Sequence, residues 1–356
     1  MSCRCQTLPN LCMEGGKVFL TFFDLFLLRK VSKQLQALGY ACESNGQLLR
    51  IDSDNVEKLI QSLCQDCGLS PSDNMNIQLL ITAADATTLN PNELTKMRPL
   101  ATWCSQFNAQ ELLGVLTNKS LVVHFQPILL ASDLSIYAHE ALIRGISPEG
   151  KIIPPNLLFG QAKDAELLFN LDRLCRETIM HTAAKLNYFG RLFINFLPSA
   201  IYNPENCLST TMALAERYGF DPHNLIFEVV ETERIDDVDH LRNILDYYRA
   251  KGFRTALDDM GSGYSSLNLL ASLSPNIVKI DRELIMNIDQ EPIKQAIVGG
   301  ILAMAKQTGI TTLAEGVETE QEWQYIKQAG IDLVQGYYFG RPASEPIQQL
   351  SQANVH

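Results

Sequence analysis

From Leu121 to about residue 340, short apolar runs alternate with longer stretches whose apolar positions recur every three or four residues. The runs are LVVHFQPIL (121–129), YAHEALIR (137–144), RLFINF (191–196), NLIFEVVE (224–231), RTALDD (254–259), NIVKID (276–281), TTLAEG (311–316) and DLVQGYYFG (332–340). Amphipathic segments at 167–186, 209–219, 239–252 and 292–309 lie between them. Pro292 suits a first helical turn, and Gly252 and Gly309 suit helix ends. Strand, helix, strand at this spacing predicts βαβ units and a largely parallel sheet. Six or more such units in about 240 residues favour a closed (β/α) barrel over an open doubly wound sheet. The open sheet is weakened further because no G-x-G-x-x-G follows the first strand.

The first 105 or so residues follow a different rhythm, that of a smaller mixed α/β unit. VEKLIQSLCQDCGL (56–69) has helical spacing, NIQLLIT (76–82) reads as a strand, and TTLNPNEL (87–94) is rich in turn residues. MRPLATWCSQFNAQELLGVLTN (97–118) reads as a helix leading into the barrel. The expected division is an N-terminal α/β domain at 1–107 and a barrel domain at 108–350.

Composition narrows the classes of function. The chain has 356 residues, 46% of them apolar, enough to fill sizeable cores. Its formal net charge of −11 sits almost wholly after residue 110. Residues 1–110 hold 9 Lys and Arg against 10 Asp and Glu; the remainder holds 20 against 30. An acidic barrel is a poor nucleic-acid binder, since phosphate affinity comes from Lys and Arg. The most apolar early run, VFLTFFDLFLL (18–28), is too short to span a bilayer and contains Asp24. It also lacks the cationic start and cleavage site of a signal peptide. The expectation is a cytoplasmic protein that engages neither membrane nor nucleic acid. Nine cysteines, an odd number, fit reduced thiols better than a disulfide framework. A metal site drawing on Cys3, Cys5, Cys12 and the Cys64-x-x-Cys67 pair is the less favoured reading.

The ends of the apolar runs carry the candidate chemistry. Glu140 lies in the second run, Asn195 ends the third, and Glu228 and Glu231 lie in the fourth. Asp258 and Asp259 end the fifth, Lys279 lies in the sixth, Glu315 in the seventh with Glu318 just beyond it, and Gln335 in the eighth. In a barrel, strand C-termini open on one face, so these residues converge there. A lone acidic residue at a strand end is ordinarily a helix cap or a solvated loop residue, but capping does not explain seven strand ends alike. Clustered carboxylates repel and cannot all stay ionised without a counter-charge. Oxygen ligands of this kind suit Mg²⁺ or Mn²⁺, and adjacent aspartates suit two ions acting on a phosphate ester. GSGYSS (261–266) is no P-loop, because no Lys follows its glycines. His124 and His139 read as packed or rim residues.

These residues resemble the EAL domain, the cyclic-di-GMP phosphodiesterase family of bacterial signalling. The likeness runs from about 112 to 347. FQPI, EALIR, FINFLPS, EVVE, ALDDMGSGYSSL, VKID, AEGVE and QGYYFGRP carry it, in that order. The resemblance implies a modified TIM (β/α)8 barrel that hydrolyses cyclic-di-GMP to linear pGpG with two Mg²⁺ or Mn²⁺ ions. It implies that Glu140, Asn195, Glu228 and Asp258 hold one ion, and that Asp258 and Asp259 share the second. Lys279 would sit beside the attacking water, and Glu315 would be the general base or a further ligand. Gln126, Leu142, Arg144 and Gln335 would contact or position substrate, with Arg144 facing phosphate and Gln126 a guanine. Glu231 would anchor the glycine-rich loop, and the barrel would form a homodimer. Met260, Ser262 and FINFLPS depart from the commoner forms, and none of these removes a ligand. The alternatives are a receptor that binds cyclic-di-GMP and signals through protein contacts, and a metal-dependent barrel acting on another phosphate ester. Residues 1–110 match no cyclase pattern, and the N-terminal domain at 1–107 is expected to be a sensor, a partner-docking module or a dimerisation unit.

Overall fold

In a computed structural model, the structure describes residues 15–85, 91–201, 203–229, 238–260 and 266–350, without the side chains of Pro91, Asn92, Asn206, Asp259, Ser266 and Leu267. Cys3, Cys5, Cys12, Glu231 and residues 261–265 of the glycine-rich loop lie outside the described residues. Contacts divide the chain into two compact units. One holds Gln6–Asn118 and Asn156–Asn170; the other holds Lys119–Pro155 and the chain from Leu171 onward.

The smaller unit runs β1 (Gly16–Thr21), α1 (Leu25–Ala37), β2 (Cys42–Asn45), β3 (Leu48–Ser53), α2 (Val56–Gln65), α3 (Pro71–Asn76) and β4 (Gln78–Thr82). After α4 (Pro91–Leu94), the two-residue β5 (Arg98–Pro99) adds an edge. The sheet order is β2-β3-β1-β4-β5 with every pairing antiparallel, the split βαβ arrangement of ferredoxin-like folds. Local chemistry sets the helix starts. Asp24 accepts a hydrogen bond from the Phe26 amide at 2.8 Å, and Asn55 accepts one from the Lys58 amide at 2.8 Å. Ser70 and Asp73 form a reciprocal capping box ahead of Pro71. Leu28, Val31 and Leu35 of α1 and Val56, Leu59, Ile60 and Leu63 of α2 bury the stripe that their spacing predicts.

The helix expected over 97–118 is two helices, α5 (Leu100–Asn108) and α6 (Gln110–Asn118). The chain breaks at Ala109, which leaves helical backbone at φ −90°, ψ 28°. A disulfide joins Cys64 of α2 to Cys104 of α5, whose Cα atoms lie 5.6 Å apart. This corrects the expectation of wholly reduced thiols: an odd count does not reveal which pair the packing of two helices brings into bonding range. It also divides the Cys64-x-x-Cys67 pair, since Cys67 is free and buried, and burial pushes its thiol up to about 11. The bond spans 40 residues of sequence. Reducing it, or substituting Cys64→Ser, should destabilise the smaller unit by about 2–4 kcal/mol through restored freedom of the unfolded loop. Denaturant titration with and without dithiothreitol checks this; coincident curves would show that the crosslink contributes nothing.

The larger unit carries β6 (Leu121–Leu130), β7 (Ile136–Ile146), the short β8 (Ile152–Ile153), β9 (Leu192–Phe196), β10 (Leu225–Val229), β11 (Arg254–Met260), β12 (Ile277–Ile280), β13 (Thr311–Ala314) and β14 (Leu333–Val334). Apart from β8, which pairs antiparallel with the end of β7, eight strands close in the order β6-β14-β13-β12-β11-β10-β9-β7 and back to β6. Neighbours from β7 through β9 to β14 are parallel, and β6 runs antiparallel to both β7 and β14. The barrel is therefore the expected modified form of the TIM fold.

One layer of side chains fills its interior. Ile128, Ala138, Phe193, Ile226, Ala256, Ile277, Leu313 and Leu333, one from each strand, form a continuous buried cluster. These small and branched apolar residues close the barrel as a packed floor, with no pore. Phe196 of β9 and Phe227 of β10 pack with Tyr248 and Phe253 as an aromatic cluster, with Phe227 and Tyr248 stacked at 4.3 Å.

Candidate active site

Side chains on a strand repeat their direction every second residue. Two positions beyond each floor residue, on the same inward face, stand Glu140, Asn195, Glu228, Asp258, Lys279, Glu315 and Gln335. On the reversed strand β6 the corresponding step runs backward, from Ile128 to Gln126, and Gln126 pairs in register with Glu140. The floor is thus surmounted by a second ring of eight, all polar. The sequence expected convergence of seven of these residues from their places in the strands, with Gln126 implied only by the family resemblance, and the alternation along the strands brings all eight together.

Lys279 occupies the middle of the ring and is almost wholly buried. Its Nζ lies 2.7 Å from Glu315 Oε1, 3.0 Å from Asp258 Oδ1, 3.1 Å from Glu228 Oε1 and 3.8 Å from Glu140 Oε1. Glu140 also accepts hydrogen bonds from Asn195 Nδ2 at 3.2 Å and Gln335 Nε2 at 2.7 Å. Gln126 Nε2 donates to the Gly340 carbonyl at 3.3 Å.

Four carboxylates thus face one ammonium. Burial alone would strip the proton from Lys279, but Asp258, Glu140, Glu228 and Glu315 outweigh it and hold its pKa well above the ordinary value. Burial pushes Glu228 well above the carboxylate range, with the neighbouring carboxylates opposing the pull of Lys279. Burial, against the pull of Lys279 and with the push of Asp258 and Glu140, raises Glu315 to about 8. Glu228 is 0% exposed and neither of its oxygens has a hydrogen bond, although Lys279 is near enough for charge attraction. A buried, hydrogen-bond-starved carboxylate beside three more is the donor chemistry that a hard divalent cation satisfies, so the residues fit such an ion. Among the described residues, no three His, Cys, Asp or Glu side chains are grouped to hold a metal ion as they stand, since the Lys279 ammonium takes the central place.

A cleft of about 210 Å³ opens over the ring, lined by Gln126, Glu140, Glu315 and Gln335 together with Arg282 and Tyr337. Arg282 pairs with Glu318 at 2.8 Å. Sequence reading overlooked Arg282 and Tyr337 as cleft residues; each lies just beyond a recognised strand-end residue, which was the available signal. Two glycines make the rim possible. Gly316 has φ +67° and lies against Arg282, and a Cβ on Gly336 would fall 2.0 Å from the Val317 carbonyl oxygen. Glu322 steadies the same rim by accepting from the amides of Asn287, Glu318 and Thr319 at 2.8, 2.8 and 3.0 Å.

Leu142 and Arg144 continue the inward face of β7 and are half-exposed; Arg144 Nη1 donates to the Ile143 carbonyl at 2.8 Å. Asp259 follows Asp258 in β11, beside the register shift between Leu257 and Met260. His139 is buried against Tyr188, with Nδ1 2.9 Å from the Tyr188 hydroxyl, and burial lowers its pKa to about 4. It is a packed residue, as the sequence indicates. Behind β9, the buried Asp172 pairs with Arg176 and accepts from the Leu197 amide at 3.3 Å, two residues past Asn195. A larger cavity of about 720 Å³ lies at the opposite end of the strands, near Arg254, Asn276 and Thr311. No carboxylate lines it, and the ring above the floor is the better candidate.

Comparison with known proteins agrees with this geometry. The solved structure of a standalone versatile EAL protein from Vibrio cholerae O395, in a c-di-GMP bound form, is 39% identical; the match covers 66% of this chain and 98% of that one, with a TM-score of 0.61. The cyclic di-GMP phosphodiesterase NbdA of Pseudomonas aeruginosa is 27% identical over 98% of this chain and 54% of its own length. The Klebsiella pneumoniae BlrP1 manganese/cy-diGMP complex is 24% identical with a TM-score of 0.57; it covers 92% of this chain and 96% of that one, a likeness of fold alone. The chain spans between 30% and 54% of the length of the first curated relatives it matches. The EAL domain model matches residues 109–342, which include all eight strands of the barrel and all eight residues of its polar ring. By that match, the chain belongs to the EAL domain family.

Proposed function

We propose that the barrel is a divalent-cation-dependent phosphodiesterase that opens cyclic-di-GMP to linear pGpG. The observation that carries this reading is the polar ring itself: four carboxylates, three amides and one buried lysine, each placed one strand period above an apolar floor. Glu140, Asn195, Glu228 and Asp258 would hold one Mg²⁺ or Mn²⁺ ion, and Asp258 with Asp259 a second. When bound, the cations would lower the pKa of a water and offset phosphate charge.

The chain's own residues supply the rest. Lys279 keeps its proton and directs it at the reacting phosphate. Glu315, with a pKa near the working range, accepts the proton of the attacking water. The water oxygen bonds to phosphorus, one P–O bond of the cyclic dinucleotide breaks, and the leaving sugar oxygen takes up a proton from solvent, while Glu315 later returns to solvent the proton it took from the attacking water. Gln335 holds Glu140 in place, Gln126 faces a guanine edge, Leu142 packs on the nucleotide, and Arg144 meets the second phosphate. Glu231 anchors the loop after Asp259. A homodimer through the barrel is supported by the exposed apolar side chains of Ile293, Ile297 and Met304 along one helix, Pro292–Thr308.

A receptor without turnover is the second reading, favoured by the position of Lys279 among the carboxylates where a cation would otherwise sit. Incubating the full chain with cyclic-di-GMP and Mg²⁺ or Mn²⁺ separates the two. Hydrolysis predicts pGpG that vanishes with EDTA. Tight binding with the ligand intact after hours, under both metals, overturns hydrolysis and leaves the receptor.

A further inference from the structure

In the smaller unit, the chain between β1 and α1 reads Phe22-Phe23-Asp24-Leu25-Phe26. Phe22 is buried in the core, but Phe23, Leu25 and Phe26 are 80%, 49% and 75% exposed. Asp24 is spent on the cap, accepting from the Phe26 amide. Three large apolar side chains within four residues, left in water, are a costly arrangement that a folded unit does not need for its own core. That core stripe is complete without them, in Leu28, Val31 and Leu35.

The same face continues with charge. Three, four and seven residues beyond Phe26 stand Arg29, Lys30 and Lys33, so the aromatic tip is followed along one side of α1 by a basic row. Arg29 and Lys33 are exposed, and Lys30 is half-exposed with Nζ donating to the Gly68 carbonyl. Within Leu25–Ala37 there is no acidic residue, although the whole chain carries −11. An apolar tip with a cationic flank on an otherwise acidic protein matches the interfacial layout of a surface-lying helix.

We propose that this face docks the protein on anionic lipid bilayers. Phe23, Leu25 and Phe26 enter the boundary between headgroups and acyl chains, and Arg29 and Lys33 meet lipid phosphates and carboxylates. Two features select a bilayer over a protein partner. The exposed apolar residues are confined to the helix start and do not recur along α1, where Arg29, Lys30 and Lys33 take the following positions of that face, so they offer no continuous seam to a partner helix. A second copy is disfavoured because two identical basic rows would face each other across a twofold axis. No helix among the described residues is long and apolar enough to cross a membrane, so the proposal is of a protein lying on the surface.

The test is co-sedimentation of the full-length chain with vesicles of phosphatidylcholine alone and of phosphatidylcholine with one-third phosphatidylserine. Binding is expected to the anionic vesicles, to weaken with added salt, and to fall about tenfold or more in Phe23→Ser/Phe26→Ser and in Arg29→Glu/Lys33→Glu. All four side chains are exposed or capless surface positions, and unchanged circular dichroism and thermal unfolding would confirm folded variants. Failure to sediment with anionic vesicles, equal binding to both vesicles, or undiminished binding by both variants would overturn the proposal. So would self-association of the wild type that Phe26→Ser abolishes, which assigns the face to a second copy. Hydrolysis of cyclic-di-GMP is not a readout here, so the outcome is independent of the reading of the barrel.

Discussion

Glu140→Gln is expected to lower turnover of cyclic-di-GMP by about a thousandfold or more while leaving the barrel folded. Glu140 is the ring's junction: its two oxygens accept from Asn195 and Gln335, and the same carboxylate lies 3.8 Å from Lys279 Nζ. The amide has the same shape but brings an NH₂ group toward one of two NH₂ donors, and it removes one of the four negative charges that a cation requires. Stability should change by no more than about 1–2 kcal/mol, because lost hydrogen bonding is offset by relief among like charges. Steady-state turnover of purified variant and wild type, with Mn²⁺ affinity measured by calorimetry, checks both halves. Turnover within tenfold of wild type would remove Glu140 from the proposed chemistry.

Lys279→Met should produce the largest loss of stability, about 3–5 kcal/mol in EDTA, because it leaves buried carboxylates without their cation. Its dependence on pH follows from the raised carboxyl groups. Glu228 and Glu315 are raised in the folded protein, so their protonated forms favour folding. That contribution is complete below their unfolded values near pH 4–5 and is lost as pH rises through the folded values, about 8 for Glu315. Without Lys279 the carboxylates can fold only by holding protons. The deficit should therefore be small at pH 5, largest near pH 8.5, and reduced by millimolar Mg²⁺ or Mn²⁺. Urea titrations of the full chain at the two pH values measure it. A deficit of equal size at both would mean that Lys279 acts through packing and not through charge.

Both predictions draw on residues that were visible in the sequence, and the reason is geometric. A barrel strand displays alternate residues to its interior, so a polar residue two places beyond an apolar one, repeated strand after strand, marks a ring before any coordinates are known. Ile226 and Glu228, Ile277 and Lys279, and Leu313 and Glu315 all follow that rule. The reversal of β6 was hidden, because hydrophobic alternation is the same read in either direction; only the β6–β7 hairpin ladder, with Gln126 opposite Glu140, gives it away. The disulfide was hidden for another reason. Cys64 and Cys104 become neighbours through the packing of α2 on α5, a contact that no local pattern encodes. Tyr337 and Arg282 were missed because their roles arise where two loops meet, at the close approach of Gly336 to Val317 and of Gly316 to Arg282. The split of the expected helix at Ala109 shows the same limit: propensity continued through a point where tertiary structure did not.

The floor of eight apolar side chains has a consequence for how such a chain can change over generations. Each strand contributes its floor residue and its ring residue from separate codons, two places apart. Outside Lys279, whose loss costs stability, drift at the second codon can silence the proposed chemistry while selection on the first preserves the architecture. Descendants that keep the shape and abandon the reaction are therefore reachable by single steps, with no unfolded ancestor between them.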